Sequence, residues 1–163
     1  MDLSRVLEKV AAYATSTVCV TGGEPLAQKN CAFLLTALCD AGYSVSLETS
    51  GSLDIGPVDE RVSRIVDVKT PGSGEVAANR WENLDLLRTQ DELKFVLCDE
   101  ADYRWASRLI AERHLPERCP VLFSPVADEL EPGVLADWIL RDRLPVRMQM
   151  QLHKILWGNA RGK

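Results

Sequence analysis

The stretch VCVTGGEPLAQKN, Val18 to Asn30, decides how the rest of the chain is read. A short β-rich run ends in two glycines, a carboxylate and a proline, and a helical pattern then begins. Gly22 and Gly23 can take φ values closed to other residues and let a ligand approach the backbone. Glu24 can accept from an ammonium group, and Pro25 suits the first turn of a helix. The string reads as a clamp for an amino-acid-like head group. A tight strand-to-helix turn with an exposed glutamate is the plainer alternative.

On either side the hydrophobic period alternates between that of a helix and that of a strand. Helices are expected at Leu3 to Tyr13, Leu26 to Ala41, Asp99 to Arg113 and Val134 to Arg141. The second carries Phe33, Leu34, Ala37 and Leu38 on one face, and Gly42 closes it. Strands are expected at Thr17 to Val20, Ser44 to Leu47, Arg64 to Val68, Leu93 to Leu97, Val121 to Phe123 and Arg147 to Leu152. Trp81 to Arg88 gives a short helix, and Lys69 to Asn79 reads as a loop of functional length. Helices between strands imply a largely parallel α/β sheet. No linker or repeat divides residues 1 to 163, so one domain is expected.

Every unusual loop follows a strand. TGGEP follows the first, ETSGS (Glu48 to Ser52) the second, KTPGSG (Lys69 to Gly74) the third and SPV (Ser124 to Val126) the fifth. In parallel α/β folds the carboxyl ends of the strands build the ligand site. ETSGS can bond a ribose or a carboxylate, or is only a Ser/Gly turn. Asp67 and Lys69 point the same way by the two-residue period, as a surface ion pair or a site pair. In RMQMQLHK, Arg147, Gln149, Gln151 and His153 share one face of the expected strand. Glutamines and a histidine in register can hydrogen-bond a heterocycle edge; an edge strand with one wet face is the alternative. His114, at a helix end, reads as structural or surface.

The chain of 163 residues is 46% hydrophobic and carries a formal charge of −5. That suffices for a core and argues against a nucleic-acid backbone as partner. No run of 18 apolar residues suggests a membrane span, and a cytoplasmic location is the default. The five cysteines, Cys19, Cys31, Cys39, Cys98 and Cys119, show no CxxC spacing and read as free, mostly packed thiols. HExxH, GxSxG, a Walker A loop and GxGxxG do not occur.

These residues resemble a known family. TGGEP after a strand resembles the S-adenosylmethionine (SAM) loop of radical SAM enzymes. ETSGSLD, DVKTPGSG, KFVL, FSPV and the ending MQLHKILWG are similar to 7-carboxy-7-deazaguanine synthases. The resemblance implies a partial parallel (β/α) barrel, commonly a homodimer, acting in queuosine biosynthesis. It implies a carbon–nitrogen lyase that converts 6-carboxy-5,6,7,8-tetrahydropterin to 7-carboxy-7-deazaguanine. SAM, a [4Fe–4S] cluster, magnesium and an electron-donor protein come with it. By motif, Gly22, Gly23, Glu24, Ser50, Asp67, Val68, Lys69, Ser124 and Pro125 would serve SAM, and Thr21, Glu48, Gln151 and His153 the pterin. Asp67-Val68-Lys69 matches the family's string only loosely.

One departure stands out. The family holds its cluster through three cysteines ahead of TGGEP, where this chain has only Cys19, inside a strand. The expectation is a shortened barrel without its first strand or cluster ligands (metal ligands: none), inactive alone and exposing a sheet edge that invites pairing. Two alternatives remain: a non-catalytic scaffold that binds SAM or pterin, and a fragment of a glycyl-radical activating enzyme.

Overall fold

The computed structural model describes residues 2–158, and the side chains of His153 and Lys154 are outside that description. Six strands form one sheet in the order β1-β2-β3-β4-β5-β6. They are β1 Thr17–Val20, β2 Ser44–Thr49, β3 Ser63–Val68, β4 Glu92–Leu97, β5 Val121–Pro125 and β6 Arg147–Met148. Every neighbouring pair is parallel. The helices are α1 Leu3–Ala11, α2 Cys31–Asp40, α3 Glu100–Glu112, α4 Pro132–Asp142 and α5 Leu152–Trp157. This is the expected α/β parallel architecture.

Alternation along the strands decides which face is covered. Val45, Leu47, Val66, Val68, Leu93, Phe95 and Leu97 are buried against helices. Their neighbours Ser46, Glu48, Ile65, Asp67, Glu92, Lys94 and Val96 are half-buried on the other face. A period of two thus sorts a dry side from a polar side. Two apolar clusters fill the dry side. One gathers Phe95, Phe123, Tyr103, Ile110 and Leu135 around β3 to β5, α3 and α4. The other packs Cys31, Leu35 and Leu38 of α2 on Val45 and Leu47.

The second helix departs from expectation in two ways. Residues 26–41 are not continuous: a 3-10 turn at Pro25–Ala27 is followed by a break, with Gln28 extended, before α2 begins. The buried stripe of α2 is Cys31, Leu35 and Leu38, while Phe33 is 69% exposed. The turn at Pro25 is set by the Glu24 side chain capping Leu26 N, and it offsets the register of the helix that follows.

The expected final strand is also corrected. β6 stops at Met148, apart from Gln149 N donating to Phe123 O, and Leu152 opens α5. Arg147, Gln149, Gln151 and His153 therefore do not form one strand face, and the His153 side chain lies outside the described residues. β6 is an edge strand with a single neighbour, so few ladder bonds oppose the helix preference of LHKILW.

At the amino ends of the strands, Arg64 sits on the dry face of β3 and is 3% exposed. Asp91, fully buried, pairs with it. Arg64 also donates to the carbonyls of Ile55 and Leu86, while Arg88 donates to those of Glu60 and Val62. The pair is buried because its lone pairs and protons find partners.

Candidate functional site

The carboxyl ends of β1, β2 and β3 surround a cavity of about 250 Å³, lined by Thr21, Gly22, Gly23, Glu48, Thr49, Ser50, Ile65, Asp67, Lys69 and Lys94. Three loops expected to carry chemistry meet here. A Cβ added to Gly22 or Gly23 would touch nothing, so their backbone is open to a ligand.

Glu24 does not line this cavity. Its carboxylate accepts from Leu26 N at 3.0 Å, Thr49 Oγ1 at 2.9 Å and Ser50 N at 2.9 Å, and from the Ser50 hydroxyl. Those bonds fill its acceptor sites. Burial pushes its pKa up, but the bonds from Ser50, Leu26 and Thr49 hold it below the ordinary value. Glu24 is therefore a brace that ties TGGEP to ETSGS, rather than the free carboxylate read from the sequence. The exposed polar surface of the loop is its glycine backbone.

Gly51 shapes the second loop. Its φ is +72°, and a Cβ there would meet Val66 Cγ1 at 3.0 Å. The buried Asn83 donates to the carbonyls of Gly51 and Leu53 at 3.0 and 2.8 Å. Within the cavity, Thr21 Oγ1 donates to Glu48 Oε2 at 3.3 Å.

The third loop supplies the charged pair. Lys69 Nζ lies 2.8 Å from Asp67 Oδ2. Asp67 Oδ1 is buried and has no hydrogen-bond partner among the described residues. Asn79 grips the Lys69 backbone from both sides, accepting from its N–H at 2.9 Å and donating to its carbonyl at 2.8 Å. Asp102, 1% exposed on α3, accepts from Thr70 Oγ1 at 2.8 Å, Gly72 N at 2.8 Å and Cys98 N at 3.1 Å. A Cβ on Gly72 would come within 2.6 Å of Asp102 Oδ2, so this approach requires glycine. Val68 points into the core, so only its backbone is available to the site.

The remaining expected residues fall elsewhere. Ser124 is buried within β5. Pro125 and Gln151 line a second cavity of about 250 Å³ with Val126, Leu130 and Met150. Arg147 pairs with Glu92. A further cavity of about 590 Å³ lies against α1, β1 and the start of α2, with Leu3, Val6, Val20 and Leu34 in its wall. It shares Thr21 with the polar cavity and adds Lys29 as a charged group.

The cavity offers groups of the kind a methionyl head group needs, and the cysteines of the described residues are not grouped as an iron–sulfur cluster requires. Open glycine backbone, a buried carboxylate oxygen without a partner and nearby lysines match a methionyl head group with both charges. The cysteines are dispersed over β1, both ends of α2, the turn after β4 and the segment before β5. Cluster iron takes thiolates, yet burial pushes the Cys98 thiol up to about 12 and Cys119 to about 11, and raises Cys31 and Cys39. Among the described residues, no three His, Cys, Asp or Glu side chains are grouped to hold a metal. Among them also, no helix is long and apolar enough to cross a membrane.

Lys94, Thr49, Asn79, Asn83 and Asp102 were not singled out in the sequence. Lys94 had a usable signal, since it shares the period-two face of Glu92 and Val96. The others act from a distance along the chain that no local pattern reveals.

No protein-family profile matches the chain. It is 46% identical to the 7-carboxy-7-deazaguanine synthase of Chlorobaculum tepidum over 166 residues, covering 99% of this chain and 76% of that protein. It is 40% identical to the synthase of the same name from Koribacter versatilis, covering 85% of this chain and 67% of that one. Its fold is similar to the crystal structure of QueE from Escherichia coli, with a TM-score of 0.71 and 19% identity, covering 93% of this chain and 64% of that chain. Streptococcus suis SuiB bound to S-adenosylmethionine matches with a TM-score of 0.61 and 11% identity, over 90% of this chain and 40% of that chain.

Proposed function

This chain belongs to the 7-carboxy-7-deazaguanine synthase family, and from that premise we propose that its polar cavity binds the SAM head group and the carboxylated pterin of that reaction. The family is one of radical SAM lyases. The observation that carries the reading is the cavity at the carboxyl ends of β1 to β3, where open glycine backbone meets a buried, partnerless Asp67 oxygen.

Each residue has a task in this reading. The carbonyls of Gly22 and Gly23 and the Asp67 carboxylate receive the ligand's ammonium. Lys69, held at its backbone by Asn79, keeps Asp67 oriented. Ser50 and Thr49 fix the facing loop through Glu24, and Thr21 and Glu48 present a hydroxyl and a carboxylate to the pterin. Pro125 and Gln151 form the wall of a neighbouring cavity that can take a further part of either ligand. SAM supplies the hydrogen-abstracting chemistry of the family. The cysteines of this chain do not assemble a cluster site.

Titration calorimetry with SAM tests the reading. Saturable binding with one site per chain is expected, and no heat above dilution would overturn it. The dispersed cysteines favour a second reading, in which this polypeptide by itself binds SAM without cleaving it. Anaerobic reconstitution with iron and sulfide, followed by assay for 5′-deoxyadenosine, is expected to give none; turnover would refute the binding-only reading. A cytoplasmic location, magnesium, an electron-donor protein and a homodimer belong to the same proposal. The place of β1 at the edge of the sheet among the described residues supports the last, and light scattering checks it.

A further inference from the structure

The polar cavity contains four charged side chains, and they are not equally committed. Asp67 and Lys69 are paired with each other. Among the described residues, Glu48 has only the Thr21 hydroxyl, at 3.3 Å. Lys94 lines the same cavity, directly opposite Asp67 in the β3–β4 register. Among the described residues, Lys94 makes no ion pair and its ammonium no hydrogen bond; the only lysine bonded to Asp67 is Lys69.

A half-buried lysine without an ion pair among the described residues is a feature the fold does not need. A methionine at this place would fit the half-buried face of β4 without desolvating a charge. The arrangement makes sense when the missing partner is a bound anion. Glu48 pairs with Ile65, and Lys94 lies one strand further and two residues higher. Strand spacing and rise put the two backbones roughly 12 Å apart, which leaves room for a small dipolar molecule between the tips.

We propose that Lys94 is a carboxylate-binding residue of this site, holding the acid end of a small ligand whose other end is turned toward Glu48. The inference rests on the reading of the cavity as the SAM and pterin site. Two molecules could bring the carboxylate, the methionyl group of SAM or the carboxylated pterin, and both present the same planar anion to the ammonium.

The experiment compares each ligand with its decarboxylated counterpart on the full chain. SAM is set against decarboxylated SAM, and 6-carboxypterin against pterin, with the unmodified protein, Lys94→Met and Lys94→Arg. Lys94→Met is expected to weaken the carboxylated member of one pair by about 10- to 100-fold. It leaves the decarboxylated member within about twofold, and Lys94→Arg retains most of the affinity. Loss confined to the SAM pair assigns the carboxylate to SAM, and loss confined to the pterin pair assigns it to the pterin. Equal affinities for unmodified and Lys94→Met protein in both pairs overturn the inference while leaving the site intact. Failure of the unmodified chain to bind either parent ligand overturns the site itself. Thermal melts of both variants are expected to overlay the parent, which separates lost recognition from lost fold.

Discussion

Strand β3 carries charge at both ends, and the two ends are built differently. At its start, Arg64 faces the dry side and meets Asp91 in a network whose donors and acceptors are filled by Ile55, Leu86 and Arg88. At its finish, Asp67 faces the open side, with one oxygen on Lys69 and the other buried without a partner among the described residues. Two residues, Ile65 and Val66, separate a closed network from an open one. The difference teaches where the fold is held and where it is prepared for something else. A satisfied pair contributes to one structure, whereas an unsatisfied group carries a desolvation cost that a ligand can remove.

If that contrast is right, the two ends respond differently to damage. Asp91→Ala leaves the Arg64 guanidinium buried without its counter-ion and is expected to cost about 3–5 kcal/mol, measured by urea unfolding. A loss under about 1 kcal/mol would mean that water reaches Arg64 and that the amino end is less closed than described. Next in size, Gly72→Ala drives a methyl against Asp102 and is expected to cost about 1–3 kcal/mol. Because it disturbs the loop carrying Lys69, SAM affinity should fall as well; unchanged affinity would separate that loop from the site. Asp67→Asn is the opposite case. It removes a charge with a partnerless oxygen, so stability should stay within about 0.5 kcal/mol of the parent, while SAM binding drops by about tenfold or more. A large loss of stability with binding retained would make Asp67 a structural residue.

The smallest effect is a pH dependence. Burial works against the charged forms of Glu24 and Asp91, but bonds from Ser50 and Leu26 in one case and from Arg64 and Arg88 in the other leave both pKa values lowered. A carboxylate lowered in the folded state binds fewer protons than when unfolded. Its stabilisation is full above the unfolded value, near 4, and is lost as pH falls through the folded value. Unfolding midpoints are therefore expected to be flat from neutral pH to about 5 and to fall below about 4. Midpoints that rise on acidification would contradict both assignments.

Much of this could be read before any coordinates. Thr17 to Val20 and Leu93 to Leu97 alternate or run apolar between clear turn signals, and they form strands where expected. The polar strings after those strands meet at one end of the sheet because parallel topology forces them to. The missed features are non-local. The period of two in SRIVDV puts Arg64 on the face of Val66 and Val68, but nothing in the string names the partner that lets an arginine be buried there, which is Asp91 ahead of the next strand. Glu24 looked free because its partners Thr49 and Ser50 lie on the next βα turn. The ending RMQMQLHK alternates well enough for a strand, but alternation cannot report that β6 has only one neighbour.

The sheet order runs from β1 to β6 without a crossing. A ribosome delivering this chain would expose each strand just after the neighbour it needs. Assembly can therefore proceed in the direction of synthesis, each βα unit docking on a finished surface without waiting for a distant partner. The polar cavity is walled by β1 to β4, so every residue of its lining has been synthesised before the last two strands are made.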